Sequence, residues 1–100
     1  MGFRTGRSSA SSYVVTYDLS DDRERNRVSR ILEGFGYRVQ ESVFECCLDG
    51  RLKNKLKNRL DALHLETGFV CIYKLSSQSR RITVGTPPAA LPEDTYAIVV

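Results

Sequence analysis

Residues 13–22, Tyr-Val-Val-Thr-Tyr-Asp-Leu-Ser-Asp-Asp, restrict the fold of this 100-residue chain more than any other stretch. Tyr13, Val14, Val15, Thr16 and Tyr17 are all β-branched or aromatic, which suits a strand. The run is nearly continuous rather than alternating, so it predicts a strand with both faces covered. It stops at a lone carboxylate, Asp18, and Ser20, Asp21 and Asp22 then offer N-cap chemistry for a helix. Asp21 with Glu24 three residues on has the form of a capping box. Asp18 therefore stands at the carboxyl end of a strand, where ligand chemistry collects in α/β sheets.

The rest of the chain alternates in the same way. Val28, Ile31, Leu32 and Phe35 form one apolar stripe, predicting a helix from about Asp22 to Gly34, with Gly34 and Gly36 as its stop. Residues 37–48 are β-rich and read either as one bent strand or as a tight hairpin turning at Gln40 and Glu41. Leu52, Leu56, Leu60 and Leu63 share a face and predict a second helix over residues 50–64. Residues 68–75 read as a further strand, and Arg81–Val84 as a short one with Arg80 at its mouth. The order is that of a two-layer α+β sandwich, both helices on one sheet face. Residues 13–84 are the expected domain. Residues 1–12 read as a flexible lead-in, and 85–100 as a proline-containing linker, with Pro87, Pro88 and Pro92, ahead of a last strand over Tyr96–Val100. That strand suits pairing on an exposed sheet edge, its own or a partner's.

Charge narrows the partners. Fifteen Lys and Arg oppose twelve Asp and Glu, a mild excess that does not itself signal nucleic-acid binding. The distribution is more telling: Arg23, Arg25, Arg27 and Arg30 form one basic block, and Arg51, Lys53, Lys55 and Lys57 another, with Arg59 just after. Arg23, Arg27 and Arg30 recur at helical period, and such a face either tracks a nucleic-acid backbone or pairs with Glu24 and Glu33. No apolar run is long enough for a membrane span. Cys46, Cys47 and Cys71 lack zinc spacing and read as small buried hydrophobes of a reducing, cytoplasmic compartment.

Several chemistries are excluded. His64 is the only histidine, so one chain has no His pair for metal-free RNA cleavage. No Ser/His/Asp set, P-loop or GxGxxG is present. Asp18 remains. It reads either as a strand-end turn residue or as a ligand for Mg²⁺, which takes hard oxygen donors, keeps most of its waters, and needs only one or two carboxylates. A two-fold homodimer would bring two copies of Asp18 together. Asp21 and Asp22 read as cap and first-turn residues. Phe44 is either a core residue or a platform for base stacking.

YVVTYDLSDD at 13–22, the helix beginning RERNRV, and RVQESVFE at 38–45 together resemble the CRISPR-associated protein 2 family, the small adaptation subunit. The resemblance implies a ferredoxin-like βαββαβ fold, which favours the hairpin at Gln40 and Glu41. It also implies a homodimer with an exchanged C-terminal strand. The family is known as a metal-dependent endonuclease, chiefly on single-stranded RNA and in some members on duplex DNA. It also assembles with the CRISPR-associated integrase, where it can act as a non-catalytic bridge holding DNA. Carried over residue by residue, the metal-site aspartate falls on Asp18, for Mg²⁺ or Mn²⁺. The aromatic before it falls on Tyr17, the supporting arginines on Arg25, Arg27 and Arg38, and the site aromatic on Phe44. With Arg23 and Arg30 these arginines make the expected nucleic-acid contacts. Glu41 departs from the family pattern, standing where an aromatic or neutral residue is common.

Overall fold

A computed structural model describes residues 10–86. The elements run β1 (Ser11–Leu19), α1 (Asp22–Glu33), β2 (Gly36–Gln40), β3 (Val43–Leu48), α2 (Gly50–Asp61) and β4 (Gly68–Lys74). The sheet order is β2-β3-β1-β4, with every neighbouring pair antiparallel. This is the ferredoxin-like α+β arrangement. The segment after residue 36 is a hairpin, and its loop is Glu41–Ser42, one residue later than expected, because Gln40 pairs with Val43. A register shift between Arg38 and Gln40 bends β2. The predicted strand Tyr96–Val100 and its prolines lie outside the described residues.

β1 is central and alternates. Tyr13, Val15, Tyr17 and Leu19 are buried beneath the helices, where they meet Val28 and Leu32 of α1, Leu56 and Leu60 of α2, and Phe44, Cys46 and Leu48 of β3. Val14, Thr16 and Asp18 point to the other face, which no helix covers among the described residues. The expectation of cover on both faces is corrected accordingly. Phe69 and Tyr73 lie opposite Asp18 and Val14 in the β1–β4 register and are more than half exposed, as is usual for an uncovered face.

Asp21 caps α1 by accepting from the Glu24 N–H (3.0 Å), and Asp49 caps α2 by accepting from the Leu52 N–H (2.8 Å). Only half of the predicted capping box forms, because the Glu24 carboxylate turns away to another loop. α2 ends at Asp61 rather than His64, where the backbone is left-handed (φ 52°), yet Leu63 still packs on the core. Arg81–Val84 is not a strand: it pairs with no strand among the described residues, and Ile82 and Val84 are almost fully exposed. A β-type composition expresses a preference for a pleated, half-buried surface, and without a partner strand it makes no ladder. Instead Arg81 forms an ion pair with Glu45 of β3. Cys46 is buried, but Cys47 is exposed, so the cysteines are not uniformly core residues.

Candidate active site at the carboxyl end of β1

Asp18 is the next-to-last residue of β1, exposed on the uncovered face, and its carboxylate makes no hydrogen bond or ion pair among the described residues. The two neighbouring aspartates are committed elsewhere, Asp21 to the helix cap and Asp22 to Arg25. The backbone on either side of Asp18 is held firmly. Before it, the Tyr17 N–H donates to the Ser42 carbonyl (3.1 Å) and the Tyr17 hydroxyl to the Glu41 carbonyl (3.1 Å). After it, Leu19 is buried and its carbonyl accepts from Arg25 Nη1 at 2.6 Å. From the side, Gly68 of β4 lies so close that a Cβ built on it would collide with the Asp18 carbonyl.

Of the candidate residues read from the family pattern, Tyr17 and Arg25 frame the strand end that carries Asp18, Arg38 and Phe44 brace the neighbouring hairpin loop and Tyr17, and Arg27 does not join them. Arg38 donates through Nη1 to the Glu41 carbonyl (2.7 Å), pairs with Glu33 (3.6 Å), and stacks its guanidinium 4.9 Å from the centre of the Phe44 ring. Phe44 is fully buried and packs against Tyr17, the ring centres 6.5 Å apart. A ring at that depth is not available to stack on a base, so Phe44 serves as the floor under Arg38. Arg25 and Arg38 therefore have their forks engaged on backbone carbonyls on either side of Asp18, and no arginine pairs with the Asp18 carboxylate itself among the described residues. Arg23 is exposed on α1. Arg27 and Arg30 lie elsewhere, on a groove between the helices.

One fastening was missed in the sequence. The Glu24 carboxylate accepts from the Glu66 N–H (2.8 Å), the Thr67 N–H (3.0 Å) and the Thr67 hydroxyl, and the Asp21 N–H donates to Thr67 Oγ1 (3.2 Å). These bonds, the one from the Thr67 hydroxyl foremost, hold the Glu24 carboxyl below its ordinary 4.5. The clamp ties the entry of β4 to the start of α1, and so fixes the turn that follows Asp18. The only available signal was the Glu at the third helical position, which pointed to the wrong partner.

Among the described residues no group of three or more His, Cys, Asp or Glu could hold a metal. At the end of β1 the donor on offer is the exposed Asp18 carboxylate, which is uncommitted among the described residues. That fits a hydrated Mg²⁺ or Mn²⁺, and does not fit zinc, which wants several nitrogen or sulfur ligands. A groove of about 790 Å³ lies on the helix side between α2 and β4, walled by Tyr13, Lys57, Leu60, His64 and Ile72, and Asp18 does not line it. Asp18 stands on an open face, which suits an extended polymer better than a small molecule.

Residues 11–82 match the family model described as CRISPR associated protein Cas2. The chain belongs to the Cas2 family. It is 40% identical over 89 residues to "CRISPR-associated endoribonuclease Cas2 3" of Synechocystis sp., covering 86% of this chain and 97% of that one. It is 36% identical over 91 residues to "CRISPR-associated endoribonuclease Cas2 1" of Chloroflexus aurantiacus, covering 86% and 98%. Among solved structures it is similar to the hypothetical protein TT1823 of Thermus thermophilus, with TM-score 0.72, 36% identity, and 79% and 95% of the two chains covered. It is also similar to a chain of a partial Cas6-RT-Cas1–Cas2 complex, with TM-score 0.55, 30% identity, and 81% and 99% covered. No helix among the described residues is long and apolar enough to cross a membrane.

Proposed function

We propose that this Cas2 protein works in CRISPR adaptation as a homodimeric, metal-dependent endonuclease acting on phosphodiester bonds, chiefly of single-stranded RNA. The observation that carries the reading is Asp18: an exposed carboxylate with no partner among the described residues, held by a frame of Tyr17, Arg25, Arg38 and Gly68 that leaves its backbone little freedom. A surface turn residue would not need that frame. Asp18 would hold Mg²⁺ or Mn²⁺, which when bound supplies an acidified water and polarises the phosphodiester. Arg25 and Arg38 keep the strand end and the hairpin loop fixed on either side, so the carboxylate is preorganised rather than recruited. Two features support a dimer: the sheet face bearing Asp18 is uncovered, and β4 is an edge strand with its outer side unpaired among the described residues. A two-fold axis at that face would put two Asp18 carboxylates opposite each other.

A second reading has its own support. Arginine forks engaged on the fold are not available to stabilise developing charge, and one of the similar structures comes from a Cas1–Cas2 complex. On this reading the dimer bridges the CRISPR-associated integrase and holds duplex DNA, and Asp18 is dispensable. The experiment is Asp18→Asn in the purified protein with Mg²⁺. Loss of RNA cleavage with folding and dimerisation intact supports the nuclease. Cleavage at the wild-type rate, contaminating nuclease excluded, removes Asp18 from the chemistry and leaves the bridge.

A further inference from the structure

Phe69 and Asp18 are register partners in the antiparallel pair of β4 and β1, so their side chains rise from the same face of the sheet. Directly opposed residues in such a pair have Cβ atoms about 4.5–5.5 Å apart. Phe69 is 57% exposed, and among the described residues its ring meets no other ring and no cation. The backbone that carries the ring is nonetheless fixed. Gly68 before it lies against the Asp18 carbonyl, and Thr67 before that is fastened to the Glu24 carboxylate through its N–H and its hydroxyl. The other large exposed aromatics of the sheet stand farther from Asp18. Tyr73 is four residues along β4, opposite Val14, and Tyr37 is on β2, two strands from β1. A single exposed phenylalanine is ordinary on a protein surface. This one is held on a fixed strand entry, as the cross-strand neighbour of an uncommitted carboxylate, on the open face that an extended polymer has to follow to reach it.

We propose that Phe69 is the base-stacking residue of the Asp18 site: it takes one nucleobase of single-stranded RNA and so sets that nucleotide's phosphodiester beside the carboxylate. This role rests on the nuclease reading of Asp18 and names what selects the substrate there. An aromatic ring stacks on any base, because every base has a π-face, so the contact tolerates sequence. It does not tolerate a duplex, whose bases are already stacked on one another and cannot splay onto a side chain. Phe44, the aromatic that the family pattern offered for stacking, is fully buried, and β4 supplies an accessible ring in its place. In a dimer that pairs the Asp18 carboxylates, a strand that reaches either one passes its cross-strand neighbour, Phe69.

The test is made in the Asp18→Asn protein, so that binding is read without cleavage. Affinity for an unstructured single-stranded RNA and for a blunt RNA duplex is measured by fluorescence anisotropy. Phe69→Leu keeps an apolar strand residue and removes the flat ring. It should weaken single-strand binding about 5- to 150-fold, the worth of one stacked base, and leave duplex binding unchanged. Phe69→Trp should keep single-strand binding at the parent level. Tyr37→Leu is the matched control, since it removes an exposed ring two strands from β1, and it should change nothing. No loss in Phe69→Leu, equal losses in Phe69→Leu and Tyr37→Leu, equal losses on single strand and duplex, a Phe69→Trp protein as weak as Phe69→Leu, or a parent that binds no single-stranded RNA overturns the assignment. So does a Phe69→Leu protein that no longer dimerises, because Phe69 is then a subunit contact. The nuclease reading is scored separately, on RNA cleavage by Asp18→Asn against the unsubstituted protein, so either reading can fail while the other stands.

Discussion

Gly68→Ala opposes two physical effects of known sign. Replacing a strand glycine by alanine ordinarily gains about 0.5–1 kcal/mol, because glycine loses more backbone freedom on folding. At Gly68, however, the new methyl would meet the Asp18 carbonyl and, behind it, the Leu19 Cα, both backbone atoms of the central strand that cannot swing aside as a side chain would. Overpacking of this kind costs about 1–3 kcal/mol. The net expectation is a loss of about 1–2 kcal/mol, or a Tm roughly 4–16 °C lower for a domain of this size. Gly50→Ala is the counterpart: nothing lies within 4 Å of its Cβ position, so it should be neutral or stabilising by up to about 1 kcal/mol. Both are read by thermal unfolding at one fixed protein concentration, since dimerisation makes Tm concentration-dependent. Because relief of the collision must move Asp18, Gly68→Ala should also lower cleavage under conditions where it remains folded. A Gly68→Ala protein as stable as Gly50→Ala, with full activity, would refute the claim that β4 presses on the strand that presents Asp18.

Phe44→Ala should cost about 3–5 kcal/mol in urea unfolding, since the ring is fully buried and its loss also strips the floor from under Arg38. Glu24 is held below its ordinary 4.5 by its bonds to Thr67 and Glu66, so its contribution to stability is complete above that value and lost as pH falls through the lower folded one. Glu24→Gln should flatten that acid limb, measured by unfolding between about pH 3 and pH 6. Burial pushes the Cys46 thiol up to about 11, so Cys46 should resist alkylation near pH 8 until the chain unfolds, while exposed Cys47 reacts.

The layer order was legible because its signals are local: a β-branched run, two stripes of apolar residues at helical spacing, and punctuation by Gly and Asp. The hairpin at Glu41–Ser42 was not. Its two-residue loop lacks the usual glycine, and only the family resemblance chose it over a bent strand. Arg81–Val84 misled for the reverse reason, having the composition of a strand without a neighbour to pair with. Glu24 had the position of a capping-box residue, but a loop more than forty residues away supplied better donors. The arginines show the same limit most clearly. Helical period grouped Arg23, Arg27 and Arg30. The fold sends Arg27 and Arg30 to a groove completed by Arg59, and gives the frame of Asp18 to Arg25 and Arg38, which periodicity did not single out. Which side chains share a site depends on how the helices cross the sheet, and no local pattern encodes that.

The most direct test of Asp18 as a paired metal carboxylate is the stoichiometry of Mn²⁺ binding to the purified homodimer by calorimetry. One ion per two chains is expected, with binding lost in Asp18→Asn. One ion per chain, or binding untouched by Asp18→Asn, would contradict it.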